Sequence, residues 1–172
     1  MERIMYRAGS IGIVIDDYTL NFAETAIEFF TGDGKHTFCI HDNNTITEAL
    51  VKEGVIWGTL DKYLDGKSKC LICEPSARYF SDKFIQQVCT KWREDIGLKY
   101  DKLNILGKIF RNSRVLNSTE RRICSEHTAS GYFPKHLFLE KIPAAVSPND
   151  ILRDVMYTNK KYFNCDILGR KK

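Results

Sequence analysis

No stretch of this sequence approaches the ~18 apolar residues of a membrane-spanning helix. The opening "MERIMYRAG" is not followed by a hydrophobic segment with a small-residue cleavage site, so no signal peptide is expected. Together these absences predict a cytoplasmic chain with no stable membrane insertion. Charge of one sign is also scarce: 26 Lys and Arg against 22 Asp and Glu leave +4, and much of that excess sits in the tail "GRKK". Without a concentrated basic and aromatic stripe, nucleic acid is not an expected partner. There is no internal repeat, low-complexity tract or interdomain linker, so residues 1–172 read as one domain with room for its own core. The six cysteines are irregularly spaced, and in a cytoplasmic chain they are expected to be reduced.

What is present alternates between strand and helix signals. "GSIGIVI", residues 9 to 15, is β-branched and glycine-flanked and reads as a buried strand. In "NFAETAIEFFTGDGK", Phe22, Ala26, Phe29 and Phe30 recur at helical spacing before Gly32. "HTFCIHDNNTITEAL" reads as a β-hairpin around Asp42-Asn43-Asn44, "GVIWGTLDKYL" as a continuation into a short connection, and "KCLICEP" as a further strand. "SDKFIQQVCTKWREDIG" predicts a helix with Ser81 as its cap, Phe84, Val88 and Trp92 as its stripe and Gly97 as its stop. A short apolar segment, "LNILGKIF", follows, and "SPNDILRDVMY" predicts a late helix or turn capped by Ser147 or Asn149. The order is strand, helix, several strands, then mostly helices, which predicts an α+β fold with an antiparallel sheet packed against helices.

The hairpin carries the most chemical information. Alternation places His36, Phe38 and Ile40 on one face of its first strand and Ile46, Glu48 and Leu50 on one face of its second. Both apolar faces must point to the core, because a one-residue slip would bury the polar set instead. If His41 pairs with Thr45, Glu48 lies opposite Phe38 and diagonal to His36, roughly 7–8 Å away between α-carbons. An imidazole and a carboxylate on an oily surface cost free energy unless they pair. Two readings fit: a polar pair that satisfies itself at the sheet margin, or a base with its orienting carboxylate.

A base needs a nucleophile, and "RRICSEHTASGYF" offers Cys124. Cys124 reads as a packing residue, as half of a metal site with His127, or as a thiolate activated by imidazole and a helix N-terminus. No second ligand pair is evident, so no metal or other cofactor is expected. His127 is expected on the helix surface, and His41 is expected exposed beside the turn. Cys70-x-x-Cys73 lies in an apolar strand without a matching motif, and Cys39, Cys89 and Cys165 have no evident partners. The start of the Cys124 helix is ambiguous. Asn117 or Ser118 with Glu120 would cap it early, leaving Cys124 more than a turn inside, whereas a start near Ile123 would put Cys124 at the dipole.

The order of "GSIGIVI", "KHTFCIHDNNTITEAL", "KYD", "RRICSEHTASGYF" and "AAVSPNDIL" resembles the circularly permuted papain-like cysteine hydrolases, the YiiX/YebB-like branch of the NlpC superfamily, related to lecithin:retinol acyltransferase. There a glycine-led strand precedes a histidine strand, then a strand with a third polar residue, then a nucleophile opening a helix in a "CSE" setting and a "P-x-D-I"-like segment. The resemblance spans roughly residues 9 to 152 and places His36, Glu48 and Cys124 at the triad positions, with Pro148, Asp150 and Ile151 in the last motif. It departs at Lys35, where small residues often precede the histidine, and at His127, where an aliphatic residue is common.

The resemblance implies a permuted papain-like core and a Cys-His-Glu triad. Cys124 would attack a carbonyl, His36 would shuttle the proton and Glu48 would orient His36, through an acyl-enzyme. The Cys124 amide would be one oxyanion donor, Glu126 would be structural, and the helix would begin close to Cys124. The expected substrate is an amide bond in a peptide or peptidoglycan fragment. The alternatives are an acyl-ester hydrolase or acyltransferase on the same triad, and a non-enzymatic binding module.

Overall fold

The computed structural model describes residues 5–17, 34–63, 68–101, 121–135, 137 and 146–167. The expected helix through Phe22, Ala26, Phe29 and Phe30, the segment "LNILGKIF" and the alternative cap at Asn117 or Ser118 lie outside these residues. Six strands form an antiparallel sheet: β1 (Ile11–Asp17), β2 (His36–Ile40), β3 (Thr45–Leu50), β4 (Gly54–Thr59), β5 (Ser68–Pro75) and a late strand (Phe163–Ile167). Between β5 and that last strand come helix α1 (Asp82–Glu94), the short parallel pair β6 (Lys99–Tyr100) and β7 (Arg121–Arg122), and helices α2 (Cys124–Tyr132) and α3 (Pro148–Arg153). With the late strand named β8, the order across the sheet is β4-β3-β2-β1-β5-β8. The fold is therefore α+β, and each pairing in the large sheet is antiparallel.

The central strands are apolar on both faces because both faces are covered. Ile11 and Ile13 of β1, Leu71 and Cys73 of β5 and Cys39 of β2 point to one side, where they meet Phe84, Ile85, Val88 and Trp92 of α1 and Ala129 and Tyr132 of α2. Val14, Phe38, Ile40, Ile46, Cys70 and Ile72 point to the other, where Leu60 and Tyr63 of a 3-10 turn (Leu60–Tyr63) cover them. This explains why "GSIGIVI" reads as a continuous apolar run rather than an alternating one. Gly12 is needed for the second face. A Cβ there would fall inside the Phe38 ring, which stacks on Tyr63 at 4.2 Å between centroids.

The helix signals hold at their ends. Ser81 caps α1, its hydroxyl accepting the Phe84 N–H at 3.3 Å, and Gly97 takes a left-handed φ of 88° just beyond the helix. Trp92 is fully buried and donates its indole N–H to Thr128 O at 3.1 Å, fastening α1 to α2. Ser147 caps α3 in a reciprocal capping box with Asp150, and Pro148 occupies the first turn.

The elements after β5 are mostly helical, as expected, but β8 returns to the edge of the sheet beside β5, and there the expectation of reduced cysteines fails. That pairing sets Cys165 opposite Cys73, and the two are joined by a disulfide across 92 residues of sequence. Cysteine spacing along the chain cannot reveal a partner that only strand order supplies. Cys39, Cys70, Cys89 and Cys124 take no part in a disulfide.

Gly12→Ala is expected to destabilise the protein by about 1–3 kcal/mol through overpacking against Phe38. Thermal denaturation should then show a Tm lowered by about 2–4 °C for each kcal/mol lost. An unchanged Tm would mean that the Phe38 ring does not lie over β1.

Candidate active site

The turn of the hairpin sets the position of every group that follows. Asp42 Oδ1 accepts the N–H groups of Asn44 at 3.1 Å and Thr45 at 2.9 Å, and His41 N–H donates to Thr45 O at 2.9 Å. These bonds fix the register that places Phe38 opposite Glu48. His36 and Glu48 consequently meet, with His36 Nε2 3.2 Å from Glu48 Oε2.

Glu48 is only 1% exposed, so its charge must be satisfied internally. Tyr63 donates its hydroxyl to Oε2 at 2.8 Å, and Lys62 Nζ pairs with Oε1. Both come from the 3-10 turn after β4, a segment that reads in sequence as mere connection. Neither residue has a periodic or motif signal, because its link to Glu48 exists only once the turn folds over the sheet. Gly58 of β4 leaves the space: a Cβ there would stand 2.8 Å from Glu48 Oε1. Burial alone would raise the Glu48 pKa, but the hydrogen bond and charge of His36, followed by Lys62, hold it down at about 2.

Beyond the Phe38–Glu48 pair the β2–β3 ladder has no further partners, although His36 still pairs with Val14 of β1. The N-terminus of α2 packs on the sheet near this end, with Cys124 in an apolar cluster with Ala49, Val55, Tyr100 and Ile123. Cys124 is the first residue of α2, with Ile123 in the extended N-cap position. Arg121 and Arg122 form β7, so no helix runs from Asn117 into Cys124. Ile123 contributes no side-chain cap, so the positive end of the helix is directed at the Cys124 region without a competing capping oxygen.

His36 joins the two halves, being hydrogen-bonded to both Cys124 and Glu48. Since Nε2 faces the carboxylate, Nδ1 is the nitrogen left for the sulfur. Burial opposes an imidazolium here, yet the charge and hydrogen bond of Cys124, with those of Glu48, push His36 up to about 10. The arrangement can hold an imidazolium between a carboxylate and a thiolate, which is the resting state of a thiol nucleophile with its acid–base partner. Val146 and the "SPNDI" segment after it pack beside α2. Ser125 donates to Val146 O at 2.6 Å, and Ile151 is fully buried in the helix-side core.

Two histidines are placed differently from expectation. His127 is fully buried rather than on the helix surface, and His41 is 6% exposed rather than open beside the turn. The expectation assumed one covered face of the hairpin; α2 packs on the other. There Thr47 bridges the two rings, at 2.9 Å from Nε2 of each, and Trp57 and Trp92 flank His41. His127 is thus committed to Thr47 and Asp95, and among the described residues no group of three or more His, Cys, Asp or Glu is placed to hold a metal. Glu126 is buried and lies 3.5 Å from Arg122 Nη1. No helix among the described residues is long and apolar enough to cross a membrane.

The shifts at His36 and Glu48 predict opposite pH effects. The raised His36 contributes stability in full below 6.5, lost as pH rises through about 10. The lowered Glu48 contributes above 4.5, and this is lost as pH falls through about 2. Urea unfolding from pH 6 to 10 should show wild-type stability declining with pH, with a shallower decline in Glu48→Gln, whose His36 has lost one source of its elevation. Parallel curves would remove Glu48 as a partner of His36. The sequence matches no protein-family model and no curated protein.

Proposed function

We propose that this chain is a cysteine hydrolase of the circularly permuted papain-like type, using Cys124 as nucleophile, His36 as acid–base and Glu48 as the group that orients His36. The observation that carries this reading is the single imidazole bonded to both a buried carboxylate and the cysteine that opens a helix. The order histidine, glutamate, cysteine along the chain also supports it.

In this reading the Cys124 thiolate attacks the substrate carbonyl carbon, and the oxyanion forms near the Cys124 backbone N–H. His36 gives its proton to the leaving amine as the C–N bond breaks, leaving a thioester on Cys124. Water then attacks the thioester while His36 takes its proton, and the thiolate departs to restore the ion pair. Glu48, held by Tyr63 and Lys62, keeps the ring in place and stabilises the imidazolium through both steps. The substrate proposed is an amide bond in a peptide or a peptidoglycan stem fragment. The apolar cluster around Cys124, which includes Val51, Ile96 and Leu98 at its margin, favours a second reading in which an acyl ester supplies the acyl group.

Iodoacetamide labelling at pH 6, read by peptide mass spectrometry, tests the centre. Cys124 should label rapidly in the wild type and much more slowly in His36→Ala, since a thiol without its imidazolium is largely protonated there. Equal rates in the two proteins would refute the dyad. A panel of peptides and acyl esters should give turnover that Cys124→Ala abolishes, and trapped thioester on Cys124 would show which carbonyl class reacts.

A further inference from the structure

Behind the catalytic helix lies a second buried polar chain that the proposed reaction does not use. His127 Nδ1 is 3.0 Å from Asp95 Oδ2, His127 Nε2 is 2.9 Å from Thr47 Oγ1, and His41 Nε2 is 2.9 Å from the same hydroxyl. Asp95 also accepts from Ser130 Oγ at 3.3 Å and lies 3.4 Å from Arg122 Nε. The chain ties four elements: the end of α1 through Asp95, α2 through His127, β3 through Thr47, and the end of β2 through His41. Its threonine, histidine and aspartate have the connectivity of a catalytic triad, but Thr47 and His127 are fully buried, so no substrate reaches them.

Hydrogen-bond chemistry fixes the direction of every proton in this chain. An ionised Asp95 only accepts, so His127 Nδ1 carries the hydrogen. A neutral His127 then has a lone pair on Nε2, which the Thr47 hydroxyl must fill by donating. With its one hydrogen spent, Thr47 accepts from His41 Nε2–H. His41 Nδ1 is left as a lone pair, and it has no hydrogen-bond partner among the described residues.

We propose that His127 is a positioning residue for the Cys124 reaction: as a neutral ring protonated on Nδ1 it locks α2 onto β3, and its protonation releases that lock, giving the centre an acid limit separate from titration of the triad. The proposal rests on the reading of Cys124 as a nucleophile. His127 lies three residues after Cys124, one turn along the same helix, and Thr47 immediately precedes Glu48. The Thr47–His127 bond therefore sets the distance between the nucleophile's helix and the carboxylate's strand.

A proton added to His127 makes Nε2 a donor facing a hydroxyl that already donates to it. Thr47 can then only accept from both Nε2–H groups, and its own hydrogen must leave the His127 ring for the weak Cys39 sulfur, so the bond that Thr47 donated to His127 is lost. The surrounding charges are Asp95 and Arg122 beside His127, His36 on β2, and Arg93 and Asp42 beside His41. Burial lowers the His127 pKa first, with Arg122 and His36 adding to it against Asp95, and burial lowers His41 to about 4. Both shifts favour the neutral rings that the lock requires.

The full chain is tested by the pH dependence of Cys124 alkylation with iodoacetamide, alongside ¹H–¹⁵N NMR of the histidine rings. The wild type should show His127 neutral and Nδ1-protonated at pH 7, with the alkylation rate falling at acid pH with a two-proton slope whose upper midpoint follows the NMR titration of His127. His127→Gln, which has an amide and no titrating ring, should reduce this to a one-proton slope at lower pH. Thr47→Val, which removes the bridging hydroxyl at nearly constant shape, should slow alkylation severalfold at pH 7. If His127→Gln does not fold, Thr47→Val and the wild-type titration decide alone. A charged or Nε2-protonated His127 at pH 7, an acid limb of His127→Gln that superimposes on the wild type, or wild-type alkylation rates in Thr47→Val would each overturn the proposal. Failure of the underlying nucleophile reading shows itself separately, as unchanged labelling in His36→Ala.

Discussion

A carboxylate with 1% of its surface exposed must find compensation inside the protein, and the arrangement around Glu48 follows from that demand. Its two oxygens take a hydroxyl from Tyr63, an ammonium from Lys62 and the imidazole of His36. Each partner imposes something on the fold. Tyr63 and Lys62 require the chain after β4 to turn at once back over the sheet, and Gly58 is the residue that lets the carboxylate lie flat against β4. Phe38 stacks on Tyr63 and in turn requires the bare backbone of Gly12 beneath it. Glycines on β1 and β4 are thereby linked to one charge on β3.

The same charge acts on His36. Burial works against a charged ring there, while Cys124 and then Glu48 raise the His36 pKa to about 10. The helix that carries Cys124 is polar over most of its length, yet every residue of it is buried. Such a helix survives in a core only if its polar groups are satisfied. Ser125 is held by Val146 O, Thr128 by the Cys124 carbonyl and Thr37, and Ser130 and His127 by Asp95, while Glu126 Oε1 lies 3.5 Å from Arg122 Nη1. Specific polar bonds, rather than an oily stripe, hold the Cys124 helix in register with the sheet, and this restricts it to few alternative placements.

The face on which His36 and Glu48 meet was legible from residue alternation, because a period of two leaves one choice once the apolar residues are sent inward. The capping of α1 by Ser81, its buried stripe and its end before Gly97 were legible for a similar reason: local hydrogen bonding and steric freedom decide them within a few residues. Less could be read where partners come from far along the chain. Lys62 and Tyr63 looked like connection, Cys165 looked partnerless, and β8 was not foreseen, although "FNCDI" alternates in burial as an edge strand should. His127 and His41 were misplaced because alternation says which residues share a face and nothing about what covers it.

By itself, then, the sequence determined the pairing of His36 with Glu48, the Ser81 cap of α1 and the α+β class, all of which depend on contacts between residues near in the chain or on strict periodicity. Tertiary structure alone decided that α2 begins at Cys124, that Cys124 packs with Ala49 and Val55 of the sheet, and that a second histidine network lies behind it. The physical reason is range. Asn117, Ser118 and Ile123 offered competing local starts for one helix, and the choice was made by β7 and by the buried partners of Ser125, His127 and Thr128, which are contributed by Val146, Asp95, Thr47 and Thr37 from elsewhere in the fold.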